Sequence, residues 1–186
     1  LDPADRPALA LLLARLAGER ADAVATMLET LGSDRYRRLL DRVVALADDP
    51  PLRSAADSPA DSVAALVVGP WRKLRRLVDR VDHRDDDALH EVRKRAKAVR
   101  YACEAVEPVV GRPARRAGRR VKRIQTTLGD LQDTVVAGEW LRRAVADDAS
   151  SAEAFVAGSL VAAQRLERGR LRERWDRDWD DAADPH

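Results

Sequence analysis

The sequence is poor in cysteine and aromatic residues, and it has no long hydrophobic run. The single cysteine, Cys103, has no partner for an internal disulfide, so we expect a buried thiol in a reducing compartment. No apolar run approaches the roughly 20 residues of a membrane span, and the first residues lack the basic segment of a secretory signal. The patterns HExxH, CxxC and GxxxxGK[ST] and a nucleophile elbow are absent as well. We therefore expect a cytoplasmic protein that has no membrane partner, no metal, no cofactor and no catalytic residues.

Charged residues and good helix formers make up most of the chain. With 45% hydrophobic and 35% charged residues and no regular alternation, the composition favours an all-α fold. The net charge of +2 hides a local cluster: residues 71–123 hold 18 Lys and Arg against 8 Asp and Glu, an excess of ten, which leaves −8 for the remainder. Because salt screens charge over about 8–10 Å, this cluster matters more for ligand choice than the total.

Apolar residues recur at spacings of three and four along six segments, which predicts six helices. They cover about residues 5–31, 34–47, 61–82, 85–110, 112–145 and 150–181, with a kink or break at Gly69-Pro70 in the third. Ser33 is the expected N-cap of the second, whose buried side is predicted as Tyr36, Leu39, Leu40, Val43, Val44 and Leu46. In the last helix, Trp175 and Trp179 are expected to pack in the core.

The stretch HEVRKRAKAVRY, residues 90–101, places two different faces on one predicted helix. The apolar stripe consists of Leu89, Val92, Ala96, Val99, Cys103, Val106 and Val110. A neighbouring face carries His90, Arg93, Lys94, Lys97, Arg100 and Tyr101. Like charges at these spacings repel, so such a face suggests that an anion lies along it. The alternative is a solvated charged face.

Further cations flank this helix in the sequence. They are Arg72, Arg75 and Arg76 before it and Arg115, Arg119 and Lys122 after it. Arg and Lys on adjacent helices can bracket a repeating chain of phosphates, Arg through a bidentate fork and Lys as a mobile point charge. Lys122, Gln125 and Gly129 follow at i, i+3 and i+7, and the glycine allows close approach.

Three other functions stay open on the residues alone. A metal-dependent phosphohydrolase would use His90 with Asp86, Asp87 or Asp133. A nucleic-acid-binding helical module would place a basic helix in a groove of DNA; scarce aromatic residues disfavour single strands. A purely structural helical protein would need none of the cations for binding.

The motifs resemble those of the CHAD family, the conserved histidine α-helical domain. The family has a helix of the form HxxRxxxKxxRY, matched by His90, Arg93, Lys97, Arg100 and Tyr101. A following helix of the form LQxxLGxxxD is matched by Gln125, Leu128, Gly129 and Asp133. The resemblance implies two pseudo-repeated bundles of long antiparallel helices in a prokaryotic protein. It also implies a basic channel that binds inorganic polyphosphate without catalysis, and association with polyphosphate granules.

The resemblance also suggests a division of the chain. Residues 1–50 are expected to be the C-terminal part of a first helical repeat, residues 51–60 a linker, and residues 61–186 a second repeat that carries both motifs. The first HxxR-bearing and LGxxxD-bearing helices are not found, so we expect Leu1 to follow them. The surface they would cover is predicted to allow self-association.

Overall fold

The computed structural model describes residues 2–51, 63–147 and 149–183, and these residues form six α-helices and no strand. After a short 3-10 turn at Pro3–Asp5 come α1 (Arg6–Leu31), α2 (Asp34–Asp48), α3 (Ala65–Val78), α4 (Asp86–Val110), α5 (Arg112–Ala144) and α6 (Ser151–Ala183). The all-α prediction is confirmed. Most of the predicted linker, and the predicted start of the third helix, lie outside the described residues.

The helices form two compact units. The first contains α1, α2 and residues 144–157; the second contains α3, α4, α5 up to Arg143 and α6 from Gly158. No described helix is both long enough and apolar enough to cross a bilayer.

In the first unit, most of the apolar surface of α1 and α2 is exposed. Ala8 and Leu12 are the buried residues of α1, and Arg15 pairs with Glu153 at 3.2 Å. The predicted buried side of α2 is wrong. Tyr36 is half-buried, and the aliphatic residues are exposed: Leu39, Leu40, Val43, Val44 and Leu46. A helix buries its apolar face only against another element, and the described residues of this unit do not cover α2.

The second unit is built on one apolar core to which all four of its helices contribute. Leu74 and Val78 come from α3, and Leu171 and Trp175 from α6. Six of the seven residues of the predicted α4 stripe are buried, namely Leu89, Val92, Ala96, Val99, Cys103 and Val106, and the seventh, Val110 at the end of the helix, is half-buried. From α5 the core receives Val121, Ile124, Leu128 and Leu131. Burial of a side chain of this size stabilises the fold by about 1.5–3 kcal/mol.

The start of α4 and its junction with α5 have local causes in the sequence. Asp85 caps α4, its carboxylate accepting hydrogen bonds from the backbone N–H of Asp87 (2.9 Å) and Ala88 (3.2 Å). Gly111 alone joins α4 to α5, with a φ of 73° that favours glycine. Beyond this turn, a Cβ added at Gly118 would lie 3.3 Å from the Cβ of Cys103. The two helices therefore form a tightly packed hairpin.

Polar and aromatic contacts fix α6 on the other helices of the second unit. The carboxylate of Asp86, at the start of α4, pairs with Arg168 at 2.9 Å and with Arg172 at 2.6 Å. Trp175 is fully buried, and its ring centroid lies 5.7 Å from that of Trp179. Both tryptophans pack as the sequence predicts.

Candidate anion-binding site

A groove of about 320 Å³ lies between α4 and α5 in the second unit. Its lining residues are Arg93 and Arg100 from α4 and Lys122, Gln125, Thr126, Gly129, Asp130 and Asp133 from α5. These include three cations and two carboxylates, and the carboxylates follow Lys122 by two to three helical turns. Thus Arg100 and Lys122 belong to the positive end of the groove. The groove thus brings together Arg93, Arg100 and Lys122 with three residues of the second motif, Gln125, Gly129 and Asp133, whereas Leu128 of that motif is buried in the core.

Gly129 makes room for the guanidinium of Arg93. A Cβ at this position would lie 3.3 Å from Nε and 3.5 Å from Nη2 of Arg93. The absence of a side chain lets Arg93 lie against the surface of α5. The glycine of the second motif and the first arginine of the first motif are therefore direct neighbours.

Arg100 is held by two residues of its own helix. Its Nη1 donates to Glu104 at 2.8 Å, and its Cζ lies 4.6 Å from the ring centroid of Tyr101. Lys97 is also near this ring, with its Nζ 5.6 Å from the centroid. Such cation–π contacts fix the direction of a long basic side chain and leave its other donors available. Tyr101 and Lys97 lie beside the groove rather than in its lining.

Buried polar atoms without a partner are concentrated at this hairpin. In the described part of the chain, no hydrogen bond is made by the buried Nε of Arg93, the Nε of Arg100 or the Oε1 of Gln125. Nδ1 of His90, one turn before Arg93, is also buried and makes no hydrogen bond in this part of the chain. An unsatisfied buried polar atom costs about 1–3 kcal/mol, so the two Nε–H groups favour an anion as a partner.

A strip of arginines continues along α5 toward its N-terminus. Arg112, Arg115, Arg116 and Arg119 line a shallow depression of about 200 Å³. From Arg112 to Lys122 the helix rises about 15 Å. Arg115 also pairs with Glu107 at 2.6 Å, which ties the strip to the end of α4. Cations on this length of helix match a ligand whose negative charges repeat.

The cations predicted on α3 do not line this groove. Arg76 lines another groove, between α3 and α4, together with Lys73, Leu77, Arg80, Glu91 and Arg95. Arg72 and Arg75 are exposed on α3 and line neither of these two grooves. The sequence places all these cations near one another in the chain, and the packing of α3 on α4 separates them.

Two of the four cations predicted to repel one another on α4 are neutralised. Lys94 pairs with Glu91, three residues earlier, and Arg100 pairs with Glu104, four residues later. Both spacings are those of neighbours on a helix surface, so the sequence did contain this signal. The hydrogen bond from Lys94 is the largest cause of the lowered pKa of Glu91; burial opposes it, and the charges of Lys94, His90 and Arg95 lower the pKa further. Arg93, Lys97 and Lys122 make no ion pair with the described residues, and Arg100 keeps the donors that Glu104 does not engage.

The residues of the hydrolase alternative have different surroundings in the structure. His90 is half-buried on α4, Asp86 is engaged by Arg168 and Arg172, and Asp133 lies in the groove. Among the residues that the structure describes, no group of three His, Cys, Asp or Glu side chains could hold a metal ion.

Known proteins resemble this chain in sequence and in structure. The family model of the CHAD domain matches residues 1–142. Two Mycobacterium tuberculosis proteins, uncharacterized protein MT2285 of strain CDC 1551 / Oshkosh and uncharacterized protein Rv2226 of strain ATCC 25618 / H37Rv, are each 35% identical to it over 139 residues. The matched region is 70% of this chain and 25% of each relative.

A solved structure, PptA from Streptomyces chartreusis, has a TM-score of 0.81 and 26% sequence identity, covering 94% of this chain and 65% of PptA. The chain thus spans about a quarter of the two curated relatives and about two thirds of PptA. The family model covers well over half of the chain, including both motifs. This chain belongs to the CHAD domain family.

Proposed function

We propose that this chain binds inorganic polyphosphate non-catalytically through the α4–α5 groove and the arginine strip of α5. The observation that carries the proposal is the pair of buried Nε–H groups of Arg93 and Arg100 without hydrogen-bond partners in the described structure, in a groove that also holds Lys122. Arginine N–H groups form their strongest hydrogen bonds with phosphate and carboxylate oxygens.

The shape of the cationic surface favours a thin phosphate chain over other anions. The cations extend along α5 for about 15 Å, so a free phosphate ion would engage only part of them. A DNA duplex is too thick to enter a groove with a volume of about 320 Å³, so it could contact only the residues at the edge of the groove. The groove lining contains no aromatic residue on which single-stranded bases could stack. Membership of the CHAD family supports the same ligand, and we expect the protein to associate with polyphosphate granules.

Titration with long-chain polyphosphate at several salt concentrations tests this function. Duplex DNA and free phosphate, at matched total charge, are the comparisons. We expect tight binding of polyphosphate and weaker binding of duplex DNA and free phosphate. The affinity for polyphosphate should fall steeply with salt, because binding releases the counterions that surround the polyphosphate chain. Tighter binding of DNA than of polyphosphate would contradict the proposal.

Two double variants distinguish binding by the groove cations from attraction to the positive charge of the protein in general. Arg93→Ala/Lys122→Ala removes two groove cations. Arg165→Ala/Arg177→Ala removes two exposed cations of α6 that make no ion pair with the described residues. We expect the first variant to lose at least tenfold in affinity and part of the salt dependence, while the control binds like wild type. Equal losses in both would mean that only net charge matters.

The same protein serves to examine the hydrolase alternative. Polyphosphate incubated with the chain and Mg²⁺ should yield no free phosphate above a protein-free control. Phosphate release that disappears in His90→Ala or Asp133→Ala would replace the binding proposal with a catalytic one.

A further inference from the structure

The α3–α4 groove is a second basic surface in the same unit. It has a volume of about 420 Å³, and Lys73, Arg76 and Arg80 lie along one side at i, i+3 and i+7. Arg95 and Glu91 of α4 form the other side, and Leu77 contributes an apolar part of the lining. Four cations thus face one carboxylate.

These four cations are free of ion pairs with the described residues, unlike many cations on this unit. Arg115, Arg123, Arg168 and Arg172 each pair with a carboxylate elsewhere. Glu91, the acidic residue of the groove, is already paired with Lys94. The hydrogen bond from Lys94 is the largest cause of the lowered pKa of Glu91, and the charge of Arg95 makes a smaller contribution in the same direction. The groove therefore has an excess of positive charge that its own carboxylate does not neutralise.

Helix α4 separates this groove from the α4–α5 groove. Arg93 and Arg95 are two residues apart, which places them about 200° apart around the helix axis. The core residues Val92 and Ala96 occupy the face between these two flanks. A helix with its side chains is about 10–12 Å across, so a short anion cannot contact both grooves at once.

We propose that the α3–α4 groove is a second, independent binding site for a linear phosphate chain, so that one molecule holds two segments of polyanion. The choice of polyphosphate as ligand rests on the function proposed above. Lys73 and Arg76 present charge on one face of α3, Arg80 follows in the turn just after the helix, and Arg95 closes the site from α4. A molecule with two such sites would join two segments of long polyphosphate.

A structural role is the competing explanation. Arg76 and Arg80 lie near the C-terminal end of α3, where cations stabilise a helix through its dipole by about 0.3–1 kcal/mol. That role would change the melting temperature when the cations are removed and would leave the number of bound phosphate chains unchanged.

The decisive measurement is the number of short polyphosphate chains bound per protein molecule, by calorimetry and native mass spectrometry. Wild type should bind two. Lys73→Ala/Arg80→Ala/Arg95→Ala should bind one, and Arg93→Ala/Lys122→Ala should also bind one. The charge-matched control Arg143→Ala/Arg165→Ala/Arg177→Ala should bind two.

The outcomes distinguish this inference from the proposed function. One chain bound by wild type, lost in Arg93→Ala/Lys122→Ala and kept in the α3–α4 variant, would overturn the second site and leave the first intact. No binding by wild type would overturn both. If the triple variant fails to fold, Lys73→Gln/Arg95→Gln replaces it, and two chains bound by that variant would overturn the second site.

Discussion

Substituting Gly129 by alanine should weaken anion binding and stabilise the fold at the same time. The new Cβ would lie 3.3 Å from Nε and 3.5 Å from Nη2 of Arg93, so the guanidinium must move by a few tenths of an ångström. A hydrogen bond to a charged group contributes about 1.5–3 kcal/mol, and a partial loss corresponds to roughly 3–10-fold weaker binding. Alanine in place of glycine inside a helix adds about 0.5–1 kcal/mol of stability.

The matched control is Gly169→Ala on α6. A Cβ at Gly169 meets nothing within 4 Å, so this variant should gain similar stability and bind polyphosphate like wild type. Polyphosphate titration and thermal unfolding by circular dichroism measure the two quantities. Equal affinities for Gly129→Ala and Gly169→Ala would refute the role of Arg93 in binding, because its displacement would then have no effect on the ligand.

Three further predictions concern the stability of the fold. Val99→Asp should destabilise the fold by more than about 4 kcal/mol, because it places an unpaired charge at a core position that is 1% exposed. Arg93→Glu, on the groove side of the same helix, should unfold in urea like wild type and fail to bind polyphosphate. Asp86→Ala should cost about 2–4 kcal/mol, because the two partly buried arginines of α6 lose their shared carboxylate; a loss below 0.5 kcal/mol would show that solvent replaces it fully. The pKa of Glu153 is lowered, first by a hydrogen bond from the backbone N–H of Ser150 (3.0 Å) and then by one from the Ser150 hydroxyl (2.8 Å). Its contribution is therefore complete at neutral pH and disappears as the pH falls through that lowered pKa, so the difference in melting temperature between wild type and Glu153→Gln should vanish in acid; a difference independent of pH would contradict this origin.

The helices of the second unit could be predicted from the sequence because their causes are local or repeated. The apolar residues of α4 recur every three to four positions, so they lie on one face of the helix. In this unit other helices cover that face, and the pattern alone identifies which residues become buried. Asp85 and Gly111 act through backbone geometry at the ends of α4, which a short stretch of sequence determines. The same reasoning failed for α2, because its apolar residues are buried only if another element covers them, and pattern alone does not supply that element.

The candidate site could be predicted in part. The two motifs indicated Arg93, Arg100 and Gly129, and the cations that follow α4 in the sequence included Lys122. These residues meet in one groove because α4 and α5 form a hairpin. The separation of Arg76 from them was not predictable, since it depends on which flank of α4 packs against α3. The spacing of Lys94 and Glu91 allows them to pair on the helix surface. Whether an exposed lysine pairs with such a neighbour or stays in solvent depends on a free-energy difference of less than about 1 kcal/mol, which a sequence pattern does not give.

The aromatic packing of the second unit has a practical consequence for spectroscopy. The four tryptophans of the chain are Trp71, Trp140, Trp175 and Trp179, and all belong to that unit. Trp175 is fully buried, and Trp71 stacks on Trp179 with 5.7 Å between ring centroids. Emission from Trp71, Trp175 and Trp179 therefore reports the loss of the second unit's core. If the two units unfold at different denaturant concentrations, ellipticity at 222 nm will show two steps where fluorescence shows one.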